Sequence, residues 1–353
     1  MKQYVTLTQQ LLELESTRRA DAIADRFGLS GFEVFMDWVR PRNERLFEDE
    51  DDFGSLQRSL SRRRVRRIHC SYWGYPTAFL TKQGFSELVE RAGGVAEVRA
   101  YYKDTTGEHM FARWRDEYQL ACALKADAYV FHAIDYAMVD GAWDFTLSRT
   151  TIRDAMIAMV QQLLEVLDDA SLVSATSPII EVENAGWGLE YGLQTADDFA
   201  HLLAALHDPQ DRIRVGWDVN HLLHAVGSEQ GQAAFHLTAD ELTEHEIPAH
   251  FPNWALLQPP ELASAWIRRH LMDPRLRGRV STIHLSDCKP KSEPYFLNGR
   301  AQGTAGATLD TLPRDERGKY GLDLVLTHYD AHLPLGDGLL DPPQVRQLIL
   351  DVA

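Results

Sequence analysis

The chain has 353 residues, 44% apolar and 25% charged, enough to bury a sizeable core and too apolar for default disorder. Its formal net charge of −16 argues against a nonspecific nucleic-acid coat or an anionic membrane surface as partner, and supplies solubility. Three widely spaced cysteines (Cys70, Cys122, Cys288) form no CxxC pair, no apolar run is long enough to cross a bilayer, and the opening MKQYVTLTQQ lacks an apolar signal core; together these point to a cytoplasmic protein without a membrane span.

In chain order, residues 4–7 have strand character and 8–27 read as helix. From about residue 30, short apolar β-type runs alternate with amphipathic stretches, the pattern of a parallel α/β fold. Strands are expected at 32–36, 65–69, 128–132, 178–183, 213–218 and 280–285, with helices at 86–92, 111–124, 151–167 and 196–206. Thr195 stands as N-cap of the last of these helices, with Asp198 three residues on. The acidic run 48–52 and the basic run 62–67 switch charge within one loop–helix unit, and the basic residues are expected as a solvated surface. Two long insertions, 227–263 and 289–322, follow strand ends, where barrel enzymes place substrate-shaping loops. Residues 342–350 open with two prolines, which suit a helix start and are poor in a central strand. Six confident strands, where eight are required, predict a single TIM (β/α)8-type barrel over residues 1–353, incomplete at its last strand. The 15 residues that follow Gly338, up to Ala353, are too few for a helix, a loop and a strand, which need about 20.

The strand ends carry the chemistry. His69 closes the second strand, His132 the third and Glu183 the fourth; Asp218 and His221 close the fifth and His284 the sixth. Asp330 and His332 follow just before a Gly-Asp-Gly turn. Imidazoles and carboxylates are the usual ligands of zinc, manganese and iron, and parallel strands aim their C-terminal ends at one mouth. A single strand-end histidine is most often structural. A whole set in one register is harder to bury without a cation, because each member is a polar group to be satisfied. Glu181 shares a face with Glu183 by the period of two and lies one layer deeper. Trp73, Trp187 and Trp217 adjoin ligand positions, where they suit either stacking on a substrate or core packing, and Lys289 follows the HLSD motif as an anion contact. No P-loop, dinucleotide fingerprint or nucleophile elbow occurs.

These motifs (HCSY at His69, VFH at His132, VENAG at Glu183, DVNH at Asp218, HLSDCK at His284 and DAHLPLGDG at Asp330) resemble the xylose-isomerase-like TIM-barrel superfamily, and within it the endonuclease IV branch. The resemblance implies that Glu183, Asp218 and His284 are ligands common to both branches. His221 is less diagnostic, because sugar isomerases use that position for substrate. His69, His132, Asp330 and His332 would complete a cluster of two or three ions, zinc first with manganese or iron as alternatives. Tyr72 resembles the aromatic with which the endonuclease branch probes a base stack. The endonuclease pattern also requires a glutamate at the end of the eighth strand; no Glu follows His332, and Asp351 is the nearest replacement.

Three functions follow as expectations. One is phosphoester or phosphodiester hydrolysis at a multinuclear site, with Glu183, Asp218 and His221 central. Another is sugar isomerisation or epimerisation with one ion. The last is an inactive barrel that binds a ligand. The partner is then a small sugar or phosphoester; DNA fits the motifs but not the net charge.

Overall fold

Strand β1 (Tyr4–Thr6) lies parallel to β2 (Gly31–Phe35), and helix α1 (Thr17–Phe27) connects them. The computed structural model describes residues 4–6, 17–135, 138–139, 142–143, 149–185, 192–222, 260–286, 296–297, 300–301 and 342–352. After β2 come α2 (Glu50–Arg62), β3 (Val65–His69), α3 (Lys82–Ala92), α4 (Val95–Tyr102), α5 (Glu108–Leu124) and β4 (Ala128–His132). Then follow α6 (Arg149–Asp169), β5 (Ile179–Glu183), α7 (Ala196–Ala205), β6 (Ile213–Asp218), α8 (Pro260–Leu271), β7 (Val280–His284) and α9 (Pro342–Val352).

The seven strands hydrogen-bond in strict chain order, β1 to β7. The pairs β1/β2, β2/β3, β3/β4 and β6/β7 are parallel. A sequential order without a reversal point is barrel-type winding, whereas a doubly wound sheet reverses direction midway. Among the described residues no eighth strand joins this sheet.

The contacts divide into two compact bodies: residues 1–132, 157–182 and 206–214, and residues 133–156, 183–205 and 215–353. The chain passes from the first to the second within β5, at Val182–Glu183, and within β6, at Arg214–Val215.

In the first body β4 is buried at all five residues, as expected when helices cover both faces of a sheet. Phe32, Val34, Ile68, Val130 and Phe131 are fully buried, each contributing about 1.5–3 kcal/mol relative to exposure. Tyr118 on α5 donates its hydroxyl to the Pro178 carbonyl (2.8 Å), tying that helix to the lead-in of β5.

The basic run 62–67 corrects the expectation of a solvated surface. The run is split: Arg62, Arg64 and Arg66 are exposed, whereas Arg63, which caps the end of α2, and Arg67, on β3, are buried. Arg67 bonds to Glu33 on β2 (Nε–Oε2 2.8 Å) and to Glu181 on β5, forming a buried charge triad. Glu181 is therefore held in the strand layer beneath Glu183, as the period of two requires.

In the second body α7 begins at the expected cap. The Thr195 N–H donates to Asp198 Oδ2 (2.9 Å) and the Asp198 N–H donates to Thr195 Oγ1 (3.3 Å), a capping box with aspartate in the glutamate position. Trp217 points into the core, against Phe199 (ring centroids 5.0 Å) and His270 (6.1 Å), which resolves its two readings in favour of packing. Helix α9 confirms that residues 342–350 are helical. It places Asp351 on the surface, accepting from Arg268 on α8 (2.5 Å), so Asp351 is not a strand-end ligand.

Candidate metal centre

Each ligand position follows from where a strand stops. Glu183, Asp218 and His284 are the last residues of β5, β6 and β7, and His221 lies in the helical segment that directly follows β6. All four belong to the second body. Glu183 and Asp218 are 2% and 1% exposed, a placement that is costly for two carboxylates unless cations balance them.

The donor atoms of Glu183, Asp218 and His221 lie within 4.8 Å of one another. His284 Nδ1 is 2.9 Å from Glu183 Oε1, and His221 Nε2 is 4.0 Å from Asp218 Oδ2. Two carboxylates and two imidazoles of this spacing fit one divalent ion with bonds of about 2.0–2.2 Å after small side-chain adjustments.

A buried amide that the sequence reading did not single out organises the set. Asn184, fully buried, donates Nδ2–H to the Asp218 carbonyl (3.1 Å) and accepts from the Asp218 N–H at Oδ1 (2.6 Å). Its own carbonyl lies 2.7 Å from His221 Nδ1. A carbonyl can only accept, so Nδ1 carries the proton and the Nε2 lone pair is presented to a cation, a second-layer arrangement common around metals. The signal for Asn184 was its place directly after Glu183. The Asp218 carboxylate is oriented locally, with Oδ1 accepting from the Asn220 N–H (2.7 Å) and the His221 N–H (3.2 Å).

The Ala185 N–H donates to the Leu193 carbonyl (2.8 Å), and a Cβ at Gly192 would lie 2.4 Å from Ala185 Cβ, so only glycine fits.

In the first body, β3 and β4 deliver His69 and His132 side by side, both buried, with ring centroids 4.9 Å apart. His69 Nδ1 faces the Cys70 carbonyl (3.1 Å), which again leaves Nε2 as the lone-pair nitrogen; the Tyr72 hydroxyl lies 3.4 Å from it. Tyr72 is half-buried between Phe35 (4.9 Å) and His132 (5.1 Å). Trp73 is buried and stacked on Tyr102 (5.8 Å, 16°), inside the loop. Asp330, His332, Trp187 and Lys289 lie outside the described residues.

No protein-family model matches this sequence, and no curated protein is significantly similar to it. Among solved structures, it is similar to endonuclease IV from Thermus thermophilus at 17% identity and TM-score 0.41, over 80% of this chain and 92% of that one. It is also similar to 3-keto-D-glucoside 4-epimerase from E. coli at 12% identity and TM-score 0.43, over 100% and 99% of the two chains. A xylose isomerase domain protein from Planctomyces limnophilus matches at 11% identity and TM-score 0.39, over 99% and 95%.

Proposed function

We propose that this chain is a divalent-metal-dependent enzyme that hydrolyses a phosphoester or phosphodiester. The buried Glu183–Asp218–His221 cluster, joined by His284, carries the metal assignment. The His69–His132 pair, two further buried imidazoles in the first body, supports more than one ion, because neutral imidazole is a common metal ligand. Bound cations supply charge neutralisation of the phosphoryl oxygens and a more acidic water. The chain's own residues do the rest: Asn184 fixes the tautomer of His221, the turn amides hold Asp218, and Tyr72 stands beside His69 as a contact for substrate.

A second reading is sugar isomerisation or epimerisation, favoured by the fact that Glu183, Asp218, His221 and His284 suffice for one ion without the first body's histidines. The net charge of −16 also suits a small sugar better than duplex DNA.

Metal analysis of the purified protein separates the two. Two or three ions per chain, with metal-dependent cleavage of a model phosphodiester, is the expected result. One ion with aldose–ketose or epimer interconversion would transfer the assignment to the second reading. Protein that binds neither zinc, manganese nor iron would remove both.

A further inference from the structure

Helix α5 carries two buried charges one turn apart. Arg113 and Glu117 are 1% and 0% exposed, and Arg113 Nε donates to Glu117 Oε1 (2.9 Å). Arg113 spends its remaining donors on the segment that leaves β2. Nη2 donates to the carbonyls of Arg40 (2.8 Å) and Met36 (3.3 Å), and Nη1 to that of Glu44 (3.2 Å). Glu117 turns the other way, toward the segment that leaves β3. It accepts from Ser71 Oγ (2.5 Å) and the Ser71 N–H (3.2 Å), with Tyr129 OH as a further donor (3.0 Å).

One ion pair thus reaches two strand-end segments. These are also tied to each other, since the Tyr72 N–H donates to Asp37 Oδ2 (3.4 Å), a carboxylate that Arg42 holds within its own segment (2.6 Å). Stability alone does not account for burying the pair, because a hydrophobic pair of similar volume generally packs as well or better. The feature that such a replacement lacks is direction: six hydrogen bonds to five residues at defined positions in the two segments and on β4.

We propose that Arg113 and Glu117 are positioning residues, which dock the segment after β2 and the segment after β3 on α5 so that Tyr72 is held against His69. The functional weight of that contact rests on the hydrolase reading above, but the positioning is independent of it.

The test is the double variant Arg113→Met/Glu117→Leu, which removes both charges together and leaves neither buried alone. Its melting temperature is expected to fall by several degrees without loss of the folded state, because no charge is left buried alone but the six hydrogen bonds to Met36, Arg40, Glu44, Ser71 and Tyr129 are removed. The His69 ring resonances, followed by histidine-selective NMR in the metal-free protein, are expected to shift as Tyr72 moves. Zinc affinity is expected to fall about 10–100-fold, the range for losing second-layer support. Unshifted His69 resonances in the folded double variant would overturn the proposal, whatever zinc does. A parent protein that binds no zinc while the resonances shift would sink the hydrolase reading and leave the positioning intact. If the double variant does not fold, Ser71→Ala serves, cutting only the Oγ link. Shifted resonances there support the proposal, and resonances identical to the parent's overturn it.

Discussion

At the residue scale, two glutamates two positions apart on one strand have different work. Glu183 ends β5 among the candidate metal donors, whereas Glu181 is bonded to Arg67 one layer below. Replacing Glu183 or Asp218 by alanine is expected to abolish activity and remove an ion. Glu181→Ala is expected to keep metal content while destabilising the fold by about 3 kcal/mol, since buried Arg67 then loses one of its two carboxylate partners in the triad. Metal analysis and urea unfolding of the three variants check this, and equal metal loss from Glu181→Ala would show that depth in the strand is no guide. That Glu183, Asp218 and His284 stand at strand ends was legible in the sequence, and the structure places each as the last residue of its strand. The burial of Arg67 was not legible. Its partners Glu33 and Glu181 lie 34 and 114 residues away, and nothing in a basic run announces which member turns inward. The same applies to Arg113, whose carbonyl partners are 69 to 77 residues distant.

At the element scale, the strands 65–69, 128–132 and 213–218 coincide with the observed β3, β4 and β6. β4 (Ala-Tyr-Val-Phe-His) is apolar up to its last residue, whereas β3 (Val-Arg-Arg-Ile-His) and β6 (Ile-Arg-Val-Gly-Trp-Asp) mix β-branched residues with arginine and are marked by that β-branched content. Helix starts were less legible: α5 begins at Glu108, ahead of the expected 111, because its first turn is set by a loop. There the Asp104 carboxylate accepts from the N–H groups of Gly107 (2.6 Å) and His109 (2.6 Å). The start of α7 adds a pH prediction. His270 on α8 is buried and accepts the Ala196 N–H at Nδ1 (3.1 Å). Burial, with Arg269 adding to it, lowers its pKa to about 4 against the pull of Asp198 and Asp273. The unfolded chain takes up this proton near pH 6.5, the folded chain only near 4. Stability from this group is therefore complete above pH 6.5 and is lost as pH falls towards 4, in total about 3 kcal/mol. In urea unfolding, His270→Gln is expected to lose less stability between pH 7 and pH 4.5 than the parent; equal losses would refute the assignment.

At the scale of the whole molecule, barrel-type winding was legible because strands and helices alternate along the chain, and chain order became strand order. Over residues 342–350, where the two prolines suit a helix start, the structure places helix α9. An ion coordinated by Glu183, Asp218, His221 and His284 would join the ends of β5, β6 and β7, so binding must appear as stability. A ligand that binds only the folded state adds about 2.7 kcal/mol at a hundred times its dissociation constant, equivalent to a melting shift of several degrees. Protein stripped with chelator and scanned by calorimetry is therefore expected to melt several degrees higher once zinc or manganese is restored. Asp218→Ala should abolish the increment by removing a ligand. Asp351→Ala should keep it, because that carboxylate is committed to Arg268 on the surface. A melting curve indifferent to both metals would remove the metal centre from this fold. An increment lost with Asp351 instead would return that residue to the site and displace the surface pairing described above.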